Sequence, residues 1–255
     1  MIRVGVFGAG GRMGATVCEA VSGAADLELV AAVDPWHAGE TVGELVIAPD
    51  AGAITEAGAE VAVDFTVIDA ARDNLRWCAA HGVHAVAGTS GFGEADIAEL
   101  GAAFDASPAN AVIVPNFAIG AVLMMRFAEL AAPFFESAEI IEMHHERKID
   151  APSGTAMATA QRIAAASKDW LTDPTTKVVA EGARGGNVEG IPIHAVRLRG
   201  MLASQEVLFG TTGQSLSIRH DTYDRTSFMP GVLLAVRKIA GTSGLTVGLD
   251  ALLGF

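Results

Sequence analysis

The chain has 255 residues, of which 51% are hydrophobic and 18% are charged, a composition that excludes intrinsic disorder and small disulfide-stabilised scaffolds. Asp and Glu outnumber Lys and Arg by 30 to 17, which gives a formal net charge of −13. Because a negative field repels nucleic-acid phosphates and anionic membranes, we expect neither as a partner. Sparse charge on an apolar chain of this size favours an oligomer.

The N-terminal segment, the absence of a long apolar stretch and the two cysteines lead us to expect a cytoplasmic protein. Glycines follow the short apolar run Val4 to Phe7, which is too short for the core of a secretory signal. The longest stretch without charge, Ala106 to Met125, is interrupted by prolines, asparagines and a glycine, so we predict no membrane span. Cys18 and Cys78 lie far apart in apolar helical patterns and are predicted to be core thiols.

The first half of the chain alternates short apolar runs with Ala-rich helical patterns, which is typical of parallel strands joined by crossover helices. The predicted strands are Ile2 to Phe7, Leu27 to Val33, Val61 to Phe65, Val83 to Ala87 and Ala111 to Val114. The predicted helices are Met13 to Ser22, Ile68 to His81 and Glu94 to Ala106. This half is predicted to be a doubly wound α/β domain of Rossmann type.

After Asn116 the pattern changes to that of a second, α+β domain. We predict helices over Ile119 to Phe135 and Ser153 to Ala166, and strands over Ala138 to His144, Ile193 to Leu198, Glu206 to Phe209 and Ser215 to His220. The later strands suggest a mixed or antiparallel sheet, and the glycine-dense segment Glu181 to Gly190 is predicted to be a mobile loop. The final helix, Pro230 to Ala240, and the run Leu245 to Val247 could belong to either domain.

A glycine-rich loop directly follows the first strand and opens a helix, as in dinucleotide-binding folds. Gly8 and Gly10 occupy the first two positions of the pattern, and either Gly11 or Gly14 the third. Asp34 ends the second strand, where a carboxylate can bind an adenosine ribose. The alternative is a glycine turn that serves only strand–helix packing. Asp34 favours NADH, whereas Arg12 could pair with the 2′-phosphate of NADPH.

A second candidate site is the ionisable segment from Glu142 to Asp150, which leads into Ser153, Gly154 and Thr155. Zinc is a weak alternative, because His144 and His145 point to opposite faces of a strand and no cysteine is near. A solvated charged turn is another alternative. Pro152 and Ser153, however, mark a helix start whose free N–H groups could hold a carboxylate. Such a pocket suits a small dianion, with His144 or Lys148 supplying a proton after hydride transfer.

Over essentially its whole length the sequence resembles the 4-hydroxy-tetrahydrodipicolinate reductase family, also called dihydrodipicolinate reductases. The resemblance rests on the segments Val4 to Gly14, Asp64 to Thr66, Gly88 to Phe92, Pro115 to Phe117 and, above all, His144 to Ala156. It implies that NADH or NADPH reduces a cyclic imine dicarboxylate, formed by loss of water from the 4-hydroxy compound, to tetrahydrodipicolinate in lysine and diaminopimelate biosynthesis.

The resemblance also implies roles for individual residues. His144 would donate the proton and Lys148 would be a second catalytic donor, while His145, Gly154, Thr155 and Arg225 would bind substrate. The implied cofactor contacts are Gly8, Ala9, Gly10, Gly11, Arg12, Met13, Asp34, Gly88, Thr89, Ser90, Val114, Pro115, Asn116 and Phe117. Ser90 stands where threonine is usual, and Pro35 stands where relatives that favour NADPH often carry a basic residue. No metal is implied.

The family pattern further implies a dinucleotide-binding domain made of residues 1–118 and 228–255. Residues 119–227 would form a substrate-binding and oligomerisation domain that assembles into a homotetramer through its sheet. Two other hypotheses remain at this point: a related dehydrogenase for another small acid or aldehyde, and a noncatalytic NAD(H)-binding protein.

Overall fold

The computed structural model describes residues 1–255, which form two compact units. Unit 1 comprises Met1–Ile119 and Phe228–Phe255, and unit 2 comprises Gly120–Ser227. The C-terminal segment therefore packs with the N-terminal half of the chain. No helix is both long and apolar enough to cross a membrane.

Unit 1 is built on a six-stranded sheet in which every neighbouring pair is parallel. Its strands are β1 (Ile2–Phe7), β2 (Leu27–Val33), β5 (Val61–Asp64), β6 (His84–Ala87), β7 (Ala111–Ile113) and β13 (Leu245–Val247), in the order β13-β7-β6-β5-β1-β2. The order reverses beside β1, so right-handed crossovers place helices on both faces of the sheet. The predicted Rossmann-type fold is confirmed.

The helices of unit 1 are α1 (Arg12–Ser22), α2 (Gly52–Glu56), α3 (Ile68–His81), α4 (Glu94–Asp105), α7 (Met229–Lys238) and α8 (Asp250–Leu253). A small hairpin of β3 (Thr41–Val42) and β4 (Leu45–Val46) follows β2. The core of the unit is apolar, with Leu75, Leu100 and Phe104 nearly inaccessible to solvent. Cys18 and Cys78 are both buried free thiols, as predicted, and burial raises the pKa of Cys18 to about 12.

Unit 2 contains a five-stranded mixed sheet in the order β12-β11-β8-β10-β9. The strands are β8 (Ser137–His144), β9 (Gly186–Val188), β10 (Ile191–Arg197), β11 (Ala203–Thr211) and β12 (Gln214–Thr222). The predicted mixed or antiparallel sheet is confirmed, and it is mixed because β10 runs parallel to β8. The long connection through a helix permits that direction.

Two helices of unit 2 flank β8 in the sequence. Helix α5 (Ile119–Ala131) begins at the last residue of unit 1 and continues into a 3-10 turn at Ala132–Phe134, and α6 (Gly154–Ala166) follows β8. The segment Glu181 to Gly190 is not simply a loop, because residues 186–188 pair with β10 as strand β9. Gly185 has φ of +69° and lies against the Ile193 carbonyl, which explains the glycine at this position.

Candidate active site

The loop after β1 leaves the start of helix α1 open to an anion. Gly11 is the N-cap residue, and no side chain caps the helix. The first backbone N–H groups of a helix have no partner within it, and the helix dipole adds positive potential there. Arg12 is exposed at the first helical position. This helix end therefore has the features of a phosphate-binding site.

The glycines of this loop are required by close contacts. Gly8 has φ of +75°, and a Cβ there would lie 2.9 Å from the Phe65 carbonyl oxygen. A Cβ on Gly14 would lie 1.9 Å from the Gly8 carbonyl oxygen, whereas one on Gly11 would lie 3.2 Å from it. Gly14 therefore fills the third position of the pattern, where helix and strand pack closely. This resolves the choice between Gly11 and Gly14.

Asp34 follows β2 and contacts the same loop. Its buried carboxylate accepts hydrogen bonds from the Gly10 N–H at 3.2 Å and the Trp36 N–H at 3.0 Å. His37 places Nδ1 3.0 Å from Asp34 Oδ2, and its ring occupies the space where a Gly10 side chain would be. Two oxygens offer about four acceptor positions, so the carboxylate keeps capacity for a ribose hydroxyl. His37 was not predicted from the sequence.

Three more loops converge on the same end of the parallel sheet. The predicted residues Gly88, Thr89 and Ser90 follow β6, and Val114 to Phe117 follow β7. The Phe65 ring packs on Gly88 and lies 5.7 Å from the Phe117 ring, which joins the loops after β5, β6 and β7. Ala9, Val114 and Phe117 are nearly inaccessible to solvent, and their role as cofactor contacts stays a prediction.

Asp64 organises these loops from the end of β5. Its buried carboxylate accepts hydrogen bonds from Thr66 Oγ1 at 2.8 Å, Asn74 Nδ2 at 2.7 Å and Thr89 Oγ1 at 2.9 Å. Since β5 neighbours β1 at the point where the strand order reverses, Asp64 lies at the usual ligand-binding position of such sheets. The Thr89 hydroxyl, in the loop after β6, is therefore held in place by Asp64 of the neighbouring strand β5.

In unit 2, His144 is the last residue of β8 and lies beside a buried carboxylate. Its Nδ1 is 2.5 Å from Oε2 of Glu142, two residues earlier on the same face of the strand. Glu142 is completely buried and also binds Arg197 of β10 through two contacts of 2.9 Å. Neither Glu142 nor Arg197 was assigned a role from the sequence.

Several charges act on the imidazole of His144. Partial burial lowers its pKa, the Glu142 carboxylate raises it, and Lys148 and Arg197 lower it. The pKa is lowered overall, so the neutral ring is favoured around neutral pH in the free protein. Lys148, in the loop after β8, is one of the charges that act on the ring.

The loop after His144 carries the other predicted polar residues. Lys148 Nζ lies 2.9 Å from both carboxylate oxygens of Asp150, and its backbone N–H donates to the His145 carbonyl. His145 Nδ1 accepts a hydrogen bond from the Arg147 N–H. Lys148 lowers the pKa of Asp150. The loop thus presents a half-buried ammonium group and a second imidazole next to His144.

Helix α6 starts at the end of this loop. Ser153 is its N-cap, and its Oγ accepts a hydrogen bond from the Ala156 N–H at 3.2 Å. The predicted substrate residues Gly154 and Thr155 form the first turn. Gly154 is exposed, and a Cβ built on it would have no neighbour within 4 Å. The helix start therefore faces open space, as an anion site requires.

The two arginines considered for substrate contact lie elsewhere in unit 2. Arg184 binds Glu139 at 2.6 Å and Asp173 at 2.9 Å, near the beginning of β8. Since Glu139 is five residues before His144 on one strand, the two positions are about 16 Å apart. Arg225 is exposed at the start of a 3-10 helix, and its role stays a prediction.

Family models match almost the entire chain. The model described as "Dihydrodipicolinate reductase, N-terminus" matches residues 2–117, and "Dihydrodipicolinate reductase, C-terminus" matches residues 120–253. The 4-hydroxy-tetrahydrodipicolinate reductase of Nocardia farcinica is 53% identical over 99% of this chain and 98% of its own length. That of Mycolicibacterium smegmatis is also 53% identical, over 99% of each chain.

A solved structure is similar over the same extent. The dipicolinate-bound dihydrodipicolinate reductase from Paenisporosarcina sp. TG-14 has a TM-score of 0.87 and 38% identity, covering 98% of this chain and 99% of its own. The chain belongs to the dihydrodipicolinate reductase family.

Proposed function

We propose that His144, Lys148 and the start of helix α6 are the catalytic and substrate-binding centre for the reduction of 4-hydroxy-tetrahydrodipicolinate. This reaction is the activity of the chain, an oxidoreductase of lysine and diaminopimelate biosynthesis. The observation that carries the assignment is the junction of β8 and α6, where an imidazole, an ammonium group and an uncovered helix start lie within one short segment.

The substrate is a small dicarboxylate, and each part of the junction suits one of its groups. The N–H groups of Gly154 and Thr155 would hold one carboxylate, assisted by the helix dipole. Lys148 and His145 would contact the remaining negative charge. Local cations allow an anion to bind despite the net charge of −13 of the chain.

The proton comes from His144 in this proposal. A nicotinamide held by the loops of unit 1 would supply the hydride for ring C4 of the dehydrated substrate. The added electron pair spreads over the conjugated imine, and a proton must reach the ring to complete the reduction. His144 has Nδ1 engaged by Glu142, so Nε2 is the nitrogen free to donate. Lys148 stabilises the developing negative charge and serves as a second donor.

NADH and NADPH are both proposed as reductants. The residues of unit 1 fit a dinucleotide, because the start of α1 is uncapped and Gly8 and Gly14 permit its close turn. Asp34 suits the ribose hydroxyls of NADH, and the exposed Arg12 can supply positive charge toward a 2′-phosphate. Pro35 provides no further cation, so a strict preference for NADPH is not expected.

The test of the assignment is His144→Gln. We expect kcat to fall by about 10²- to 10⁴-fold, since glutamine preserves hydrogen bonding but cannot donate a proton as a general acid. NADH affinity should be unchanged, because the nucleotide residues belong to unit 1. The assay is oxidation of each coenzyme with freshly prepared cyclic substrate.

Two matched variants make the result specific. His145→Gln should raise KM with a smaller effect on kcat, and His81→Gln, in helix α3, should leave both unchanged. A His144→Gln enzyme with the kcat of the parent would remove His144 from its proposed role.

A further inference from the structure

Both carboxylate oxygens of Glu142 make hydrogen bonds or ion pairs with neighbouring groups. Its Oε2 meets His144 Nδ1 at 2.5 Å and Arg197 Nη1 at 2.9 Å, while its Oε1 accepts from Arg197 Nη2 at 2.9 Å and from the Ser153 N–H at 3.2 Å. The side chain has no exposure to solvent. A buried carboxylate is costly unless it is paired and hydrogen-bonded, and here both oxygens are satisfied.

The strand register explains how these groups meet. Glu142 and His144 are two residues apart on β8 and share a face of the sheet. Arg197 pairs with His144 in the parallel β8–β10 ladder and therefore faces the same side. Arg197 also donates to the Asp150 carbonyl at 2.6 Å, which ties the loop after His144 to the same group.

We propose that Glu142, held by Arg197, is a positioning residue that fixes the proton donor and the anion-binding helix start relative to each other. One carboxylate oxygen orients the His144 ring so that Nε2 points away from the sheet. The other oxygen holds the Ser153 N–H, immediately before Gly154 and Thr155. The inference rests on the proposed catalytic role of His144.

The same contact influences the charge of the ring. The groups acting on His144 are Glu142 from β8, Arg197 from β10 and Lys148 from the following loop, and Lys148 is itself paired with Asp150. Of these, only Glu142 favours the imidazolium that donates the proton. Loss of the negative charge at position 142 therefore lowers the pKa of His144. A shorter side chain at position 142 loses the contact with His144 Nδ1, and the ring is then free to rotate.

The experiment compares Glu142→Gln with Glu142→Asp by kinetics and by NMR of 15N-labelled histidine. Glu142→Gln removes the charge, so the His144 ring should titrate at lower pH, and the pH at which kcat declines should move down with it. Glu142→Asp keeps the charge but shortens the side chain. It should lower kcat by about tenfold to a hundredfold through misplacement, with a smaller movement of the pH profile.

Among the seven histidines, the signal of His144 is identified by its absence in His144→Gln. Thermal unfolding establishes that each variant is folded. If Glu142→Gln does not fold, the kinetics of Glu142→Asp test the inference. An unchanged His144 titration and pH profile in a folded Glu142→Gln protein, or parental kcat in Glu142→Asp, would overturn the inference.

The two proposals fail in different ways. If His144→Gln retains full activity, the catalytic assignment fails, even where the NMR titration still responds to Glu142. If His144→Gln is inactive while the Glu142 variants keep the parental kinetics and the parental His144 titration, only the positioning role fails.

Discussion

At the scale of single residues, His144 and Lys148 were predicted from the sequence, but the partners of His144 were not. Glu142 lies in the same ionisable segment, yet its burial depends on Arg197, which is 55 residues away. Charged residues close in sequence indicate a site, whereas the pairing of a buried carboxylate is decided by strand register. His37 was missed for a similar reason, because only the folded loop brings its ring onto Gly10.

The lowered pKa of His144 predicts that substrate analogues bind together with a proton. Below its folded-state pKa the ring is charged, and above it the ring is neutral, so in the free protein it is largely neutral at pH 7. A nearby dianion favours the charged ring and raises that pKa. Binding of pyridine-2,6-dicarboxylate should therefore take up a proton and strengthen as the pH falls through the pKa range of His144.

Calorimetry in buffers of different ionisation enthalpy measures this uptake directly. We expect uptake approaching one proton for the parent protein and a clear reduction in His144→Gln. Equal uptake in both proteins would assign the proton to another group.

At the scale of elements, the long strands and helices were predicted to within a few residues, because each carries a clear apolar pattern. The hairpin β3–β4 and the strand β9 were missed, since strands of two or three residues have no measurable periodicity. The prediction of a mixed or antiparallel sheet did not say which strand pair would be parallel, and the structure shows that it is β8 and β10. Strand direction depends on the connection in space and leaves no signal in the strand's own residues.

Two helical glycines give a matched prediction. Gly14→Ala places a methyl group 1.9 Å from the Gly8 carbonyl oxygen, so the loop must shift, with a loss of about 1–3 kcal/mol in the free energy of unfolding and weaker NADH binding. Gly101→Ala in α4 meets nothing within 4 Å and should stabilise the protein by about 0.5–1 kcal/mol.

Urea unfolding and NADH titration provide both measurements. Equal stability changes in the two variants would show that the close approach of α1 to the first loop is not a constraint on the sequence.

At the scale of the whole molecule, we propose a homotetramer assembled through unit 2. Unit 2 exposes large apolar side chains, among them Phe134 at 77%, Leu171 at 67% and Val179 at 86%. Exposed apolar surface of this kind marks association sites in soluble proteins. The low share of charged residues in the chain, 18%, is consistent with surface covered by other subunits.

Light scattering coupled to gel filtration should give a mass about four times the 26.2 kDa of the chain. The mass of a single chain at micromolar concentration would contradict the proposal.

The change in pattern after Asn116 predicts a second domain, and the chain divides into two compact units at Ile119. The nucleotide-binding and substrate-binding roles of the two units stay predictions. The sequence pattern alone did not show which unit the C-terminal segment joins, and the structure places it in unit 1. Leu245–Val247 is a short apolar run that fits either sheet, and only its parallel pairing with β7 places it. The assignment of substrate to the β8–α6 junction likewise depends on geometry that a one-dimensional pattern cannot provide.

The most direct test of that assignment is a crystal structure of the protein with NADH and pyridine-2,6-dicarboxylate. The account predicts one carboxylate of the analogue within hydrogen-bond distance of the Gly154 and Thr155 N–H groups, and the His144 Nε2 directed at the ring. An analogue bound without contact to the start of α6, or with His144 turned away from it, would contradict the account.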